Sequence, residues 1–183
     1  MPGIDIVPIY FADREEMLRR LGALLERDFE TSVRYRNPWF DPEGSFDSSR
    51  GQYNSTTVLK QLLDDPQEPA SRTLGVTSVD LFTPVLTYVF GEAQLGGRAA
   101  VVSLHRLRSD VYGLPPDEAL LFERLHKEAV HELGHTFGLL HCRSIGCVMR
   151  ASAYAEDIEL KTAGFCEMCR SVLRRAGGVS ERT

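Results

Sequence analysis

Apolar residues run almost unbroken from Ile4 to Phe11, the pattern of a strand buried on both faces. From Asp13 to Arg27 the spacing becomes that of an amphipathic helix, with Met17, Leu18, Leu21, Leu24 and Leu25 on one stripe and acids in the first turn. Thr31 to Arg36 reads as a second strand. The run PWFDPEGSFDSSRGQYNS that follows is rich in Gly, Pro, Ser and Asp and reads as a long loop. A loop of that length, over 37–54, is expected either to line or gate a cleft or to be disordered. Asn54 to Asp64 is a short helix capped by Asn54 or Ser55. Arg72 to Phe82 and Val85 to Ala93 read as strands separated at Pro84, and Gly96-Gly97 turns the chain into a further strand, Arg98 to Leu104. Pro115 and Pro116 open a helix whose first turn carries Asp117 and Glu118, matching its dipole, and which runs to about Phe137. This alternation predicts an α+β fold of α/β/α type, with a mixed twisted sheet covered by helices.

The last of these helices has two different faces. Phe122, Leu125, Ala129, Leu133 and Phe137 form a core stripe, while His131 and His135 point roughly the opposite way, toward a cleft. Histidines four residues apart lie on one helix face and can share one zinc ion. A helix that simply continued would carry His141 about 15 Å along the axis from His131. Gly138 supplies the left-handed turn that ends the helix and swings His141 back. Gly134, costly inside a helix, is explained by close packing of a neighbouring backbone.

Three imidazoles with an open fourth position make a catalytic rather than a structural zinc site. Zinc lowers the pKa of water toward about 7, and Glu132, beside the first ligand, is the candidate general base. The implied reaction is hydrolysis of a peptide or amide bond by direct attack of water, with a peptide as substrate. His105 and His126 fit surface or packing roles. Met149, eight residues after His141, is the candidate floor beneath the site. Nothing in the spacing compels a role for Tyr154 at the oxyanion.

All four cysteines fall late in the chain, at Cys142, Cys147, Cys166 and Cys169. A two-cysteine loop plus CxxC suits a structural zinc held by four thiolates, giving two zinc ions per chain. Two disulfides and a redox-active CxxC are the alternatives. Arg143, Lys161, Arg170, Arg174 and Arg175 lie near in sequence and could offset the negative charge of such a site. The expected division is 1–138, a mixed-sheet subdomain with the active-site helix, and 139–183, a small helical subdomain carrying the third histidine, Met149 and the cysteines.

Composition narrows the partners. A net charge of -5 over 183 residues, without a Lys/Arg-rich run, points away from nucleic acid. No apolar run approaches the roughly 20 residues of a membrane span. MPGIDIVPIYFADREEM lacks the basic and long apolar regions of a signal peptide, so a cytoplasmic location is expected.

The run HELGHTFGLLHCRSIGCVM with the later FCEMC resembles the archaemetzincin family of metzincin-clan metallopeptidases. LGVTSVDLFTPVLTYVFGEA and VVSLHRLR resemble that family's strand region, and RGQYNS does so more weakly. The gap from Met149 to Cys166 is about one residue shorter than the family pattern. The resemblance implies a mixed-sheet subdomain over a small helical one with the cleft between them. It implies catalytic zinc on His131, His135 and His141 with Glu132 as base, Met149 in the turn below, and structural zinc on the four cysteines. Aminopeptidase-like action on short peptides is a further implication. The competing reading is a non-catalytic zinc protein that binds peptides or a partner in the same cleft, and metal buffering or sensing is a third.

Overall fold

The computed structural model describes residues 3–12, 14–65 and 72–178. Among the described residues, nine strands and five helices follow in order: β1 (Ile4–Ile9), α1 (Glu15–Phe29), β2 (Val33–Tyr35), β3 (Phe46–Asp47), β4 (Gln52–Asn54), α2 (Ser55–Leu63), β5 (Arg72–Thr77), β6 (Leu81–Thr83), β7 (Leu86–Val89), β8 (Gly91–Ala93), β9 (Ala99–Ser103), α3 (Glu118–Thr136), α4 (Ala155–Glu159) and α5 (Glu167–Arg175). Asp13, where the first helix was expected to open, lies outside the described residues, as do the first two and last five residues of the expected division.

The principal sheet has the order β2-β1-β5-β9-β8. Its first four strands are parallel, and β8 is an antiparallel edge paired with β9. The apolar strands are buried on both faces, and side chains divide between two cores by alternation. Ile4, Ile6, Leu74, Val76, Ala100 and Val102 face Leu21, Leu25 and Phe29 of α1 and Leu125, Ala129 and Leu133 of α3. Val7, Ile9, Ala99 and Val101 face Val58, Leu59 and Leu62 of α2. These three layers are the α/β/α arrangement the sequence pattern predicts.

Several boundaries differ from expectation. The stretch 72–82 is two strands in different sheets, because the chain bends at Ser78–Asp80. There Val79 O accepts from Ser103 Oγ at 2.5 Å, and Asp80 pairs with Arg106. The stretch 85–93 likewise divides into β7 and β8. The loop expected over 37–54 is partly ordered: a 3-10 turn over Pro42–Ser45 leads into β3 and β4. These strands join β6 and β7 in a small second sheet of order β3-β4-β6-β7. Short strands of this kind carry too few residues for a period-2 signal to stand out. Pro115 and Pro116 precede α3 rather than open it. Asp117 is its cap, accepting from Leu120 N at 2.9 Å. Asn54 caps α2 in the same way, accepting from Thr57 N at 3.1 Å.

Phe29, at the end of α1, ties the layers together. Its ring stacks on Phe137 at 5.5 Å and meets the edge of Phe165 at 5.8 Å, joining α1, the end of α3 and the chain before α5. The side chain is fully buried, so truncation removes contacts that the rigid surroundings cannot refill. Phe29→Ala is expected to lower unfolding free energy by about 3–5 kcal/mol in chemical denaturation. A loss below about 1 kcal/mol would contradict this reading of its packing.

Candidate metal centres and active-site cleft

The helix α3 passes beneath the β8 edge of the principal sheet and brings His131, Glu132 and His135 to one end of it. Gly138 follows with φ 85°, the left-handed conformation that glycine adopts without strain. Its N–H donates to His135 O at 2.9 Å, and Leu139 N donates to Gly134 O at 3.2 Å, closing the helix end. The turn returns His141 to within 4.9 Å of the His135 ring and 5.3 Å of the His131 ring, centre to centre.

The hydrogen bonds of the rings fix their tautomers. His131 Nδ1 lies 2.8 Å from Val148 O, and His135 Nδ1 lies 2.7 Å from Leu139 O. A carbonyl can only accept, so each Nδ1 carries its proton and each neutral ring leaves Nε2 as a bare lone pair. The two Nε2 atoms stand 3.1 Å apart. Two lone pairs so placed repel unless a cation lies between them. Burial opposes a proton there, since it lowers the pKa of both histidines, that of His131 well below the ordinary value. A tetrahedral ion with N–metal bonds of about 2.0–2.1 Å separates its nitrogens by about 3.3 Å. One donor atom from each of the three histidines lies within 4.8 Å of the others. This nitrogen set fits zinc.

Glu132 is buried beside these rings. Burial pushes its carboxyl well above the ordinary carboxylate range, Glu128 and Glu92 add to the rise, and Lys161 opposes it. Gly91 of β8 makes room for it: a Cβ there would stand 2.7 Å from Glu132 Cγ, 2.8 Å from Glu132 Oε1 and 2.6 Å from Val101 O. Met149 lies fully buried beneath the same helix. A Cβ on Gly134 would come within 2.5 Å of its Sδ. The close neighbour of Gly134 is thus a methionine side chain, not the backbone expected.

Lys161 stands elsewhere than sequence proximity to the cysteines implies. The chain after α4 folds back under the histidine site, where Lys161 Nζ is 2.8 Å from Glu128 Oε1 and donates to Arg150 O at 3.1 Å. Both side chains are almost completely buried, at 1% and 4% exposure. Removing either partner alone would strand a buried charge, a cost of about 3–5 kcal/mol. His126 is likewise a packing residue, buried with Nε2 2.6 Å from Asp28 Oδ2.

Two cavities open from this floor. One, of about 460 Å³, lies between the segment from Leu86 to Gly91 and the segment from Ala151 to Tyr154, over Glu128, His131, Glu132 and His141. The other, of about 620 Å³, runs past Thr56, Val85, Leu95 and Leu140 and shares His131, Glu132 and His141. No residue of 37–54 lines either cavity. That segment pairs with β6 instead, so the cleft wall comes from β7 and β8. Tyr154 lines the smaller cavity but is 67% exposed.

The four cysteines converge at the far side of the histidine turn. One sulfur from each lies within 4.8 Å of the others, with Cys142 and Cys166 Sγ 3.8 Å apart. Tetrahedral zinc with bonds of about 2.3 Å spaces its thiolates by about 3.8 Å. All four thiols are free, which removes the disulfide alternative in this structure. The backbone N–H of Cys169, at the start of α5, leads the effects that lower Cys166 to about 7. Burial raises Cys147 and Cys169. These donors suit a metal as thiolates, and Cys147 Sγ already accepts from Cys166 N at 3.4 Å.

Residues 43–175 match Peptidase family M54. The chain belongs to that family. It is 44% identical over 136 residues, 74% of each sequence, to an archaemetzincin of Methanocaldococcus jannaschii. Its fold matches the crystal structure of archaemetzincin from Methanopyrus kandleri with a TM-score of 0.83 and 35% identity, covering 96% of this chain and 94% of that one. It also matches a zinc-dependent peptidase from Methanocorpusculum labreanum with a TM-score of 0.82 and 29% identity, covering 93% of this chain and all of the other. As a member of M54 the protein is a zinc metallopeptidase with an α+β fold and a cysteine cluster in its C-terminal region. Among the described residues, no helix is long and apolar enough to cross a membrane.

Gly91 and the Glu128–Lys161 pair are the site residues that sequence reasoning missed. A lone glycine inside a strand is the available signal for Gly91, marking close approach of another group. The pair had no signal, since its partners are 33 positions apart and meet only through the fold. Gly91→Ala is expected to cut peptidase kcat by about a hundredfold by displacing Glu132, with zinc content unchanged by elemental analysis. Activity within a factor of about two would show that the carboxylate tolerates the methyl group.

Proposed function

We propose that His131, His135 and His141 hold the catalytic zinc and that Glu132 is the general base in hydrolysis of peptide bonds. The observation carrying this reading is the pair of unprotonated Nε2 atoms 3.1 Å apart, their Nδ1 protons already committed to Val148 and Leu139. Bound there, zinc supplies Lewis acidity, which polarises the scissile carbonyl and acidifies water. Glu132 takes the proton of the attacking water and passes it to the departing amine. Antiparallel β8 borders the cleft through Gly91 and Glu92, so an extended substrate can lie along its edge and be held through backbone hydrogen bonds. Two small cavities meeting at this floor favour short peptides cut near one end, which is aminopeptidase-like if the confined end is the amino terminus.

A second zinc held by Cys142, Cys147, Cys166 and Cys169 fixes the segment after residue 138 and takes no part in the reaction. On this reading 1–138 supplies the sheet and active-site helix, and 139–183 supplies the third ligand, Met149 and the thiolate clip. A cytoplasmic location suits four free cysteines that need a reducing environment.

Glu132→Gln should lower kcat against a peptide library by about a hundredfold or more while zinc content stays at the wild-type value. Equal turnover by the two proteins would remove Glu132 from the mechanism. Elemental analysis should find two zinc ions per chain, and Cys166→Ser should lose one of them and lower the melting temperature further than Glu132→Gln does. One zinc in the wild type with four titratable thiols would exclude the structural site.

A further inference from the structure

The smaller cavity is bridged from wall to wall. Tyr88 of β7 lines one wall, and its hydroxyl donates to Ala153 O on the opposite wall at 3.0 Å. Both ends of this bridge are anchored. The Tyr88 ring packs edge-on against Phe90 at 5.7 Å and lies under the Arg106 guanidinium at 4.9 Å. Arg106 is itself held by Asp80, through Nε at 2.8 Å and Nη2 at 2.5 Å. On the other side Asp157 accepts from the backbone N–H of both Ala153 and Tyr154 at 2.9 Å, clamping that wall to the start of α4. Lys161 holds Arg150 O, just before the same wall. The larger cavity shares the histidine floor, and neither Tyr88 nor Ala153 lines it.

From this asymmetry we infer that Tyr88 is a specificity-determining residue, a strut that closes one end of the cleft and limits how many substrate residues can extend beyond the scissile bond on that side. The inference rests on the peptidase reading above. A chain lying over the floor can leave through the larger cavity, but in the other direction it meets the bridge between Tyr88 and Ala153. A longer substrate must break that hydrogen bond and push the anchored walls away from each other. The strut therefore selects against length rather than for a particular side chain, a form of discrimination built from exclusion.

The test uses nested peptides that share one scissile bond and are lengthened one residue at a time from either end. With zinc-loaded wild-type chain, kcat/KM should fall about tenfold past a threshold length in one direction only. Tyr88→Phe removes the hydroxyl and keeps the ring, and Tyr88→Ala removes both. Each should abolish the threshold, raising the long-to-short ratio of kcat/KM by about tenfold. A merely structural role would lower all lengths together and leave that ratio unchanged. Wild-type rates that are independent of length in both directions, or a threshold that survives Tyr88→Phe and Tyr88→Ala, would overturn the proposal. Absence of turnover at every length would count against the catalytic reading instead. The strut is then read from binding of the same peptides, fluorescently labelled, to zinc-loaded Glu132→Gln chain. Affinity should drop about tenfold past the threshold and recover when Tyr88→Phe is added. An affinity without that recovery would overturn the strut on its own.

Discussion

Two backbone carbonyls govern the site. Val148 O and Leu139 O accept hydrogen bonds from the Nδ1–H groups of His131 and His135 and so aim two bare nitrogens at one point. Neither carbonyl belongs to the helix that carries the histidines. Val148 comes from the turn before Met149, and Leu139 from the chain just past Gly138. The proposed metal site on α3 is therefore shaped by the segment that follows it, and much of the C-terminal fold serves to hold that segment still. Cys142 N donates to Met149 O at 2.8 Å, and Val148 N donates to Gly164 O at 2.9 Å, fastening the same turn from both sides.

The remaining architecture can be understood as support for this geometry. Phe29 binds the end of α3 to α1 and to Phe165, so the histidine helix cannot slide without disturbing these aromatic contacts. The Glu128–Lys161 pair joins α3 to the carbonyl of Arg150. A pair of apolar residues could stabilise that contact as well or better. What the ion pair adds is direction, since a lysine must meet both its carboxylate and its carbonyl, and charge close to Glu132. Gly91 and Gly134 make complementary omissions: without side chains, they let Glu132 approach the sheet edge and Met149 approach the helix.

Much of the site was legible in the sequence because its components are local. His131, His135, Gly138 and His141 sit at spacings that helix geometry and a single turn convert directly into proximity, and the four cysteines form two local pairs whose types, rather than spacing, suggest a shared ion. The three-layer fold was legible for a similar reason, since β1 and β9 are largely apolar on both faces and α1 and α3 carry clear stripes. Strand pairing was less so. The splitting of 72–82 between two sheets depends on Ser103 and Arg106 reaching back to the bend, and the ordering of 42–54 depends on β6 as a partner. Nearness along the chain points Lys161 toward the cysteines, whereas its partner Glu128 lies on another element. The choice between backbone and side chain beside Gly134 could not be made from a period or a propensity.

The adjacency of His141 and Cys142 bears on the cost of ordering the last third of the molecule. With ions held as proposed, the first joins residues 131 and 141 and the second joins 142 to 169, so two closed circuits meet at one peptide bond. Each circuit is short, and the entropy lost on closing a flexible segment grows only slowly with its length, by about 0.6 kcal/mol per doubling. A region with only two brief helices would thereby gain rigidity through cross-linking in addition to the apolar burial of Leu139, Val148, Met149, Ile158 and Leu173.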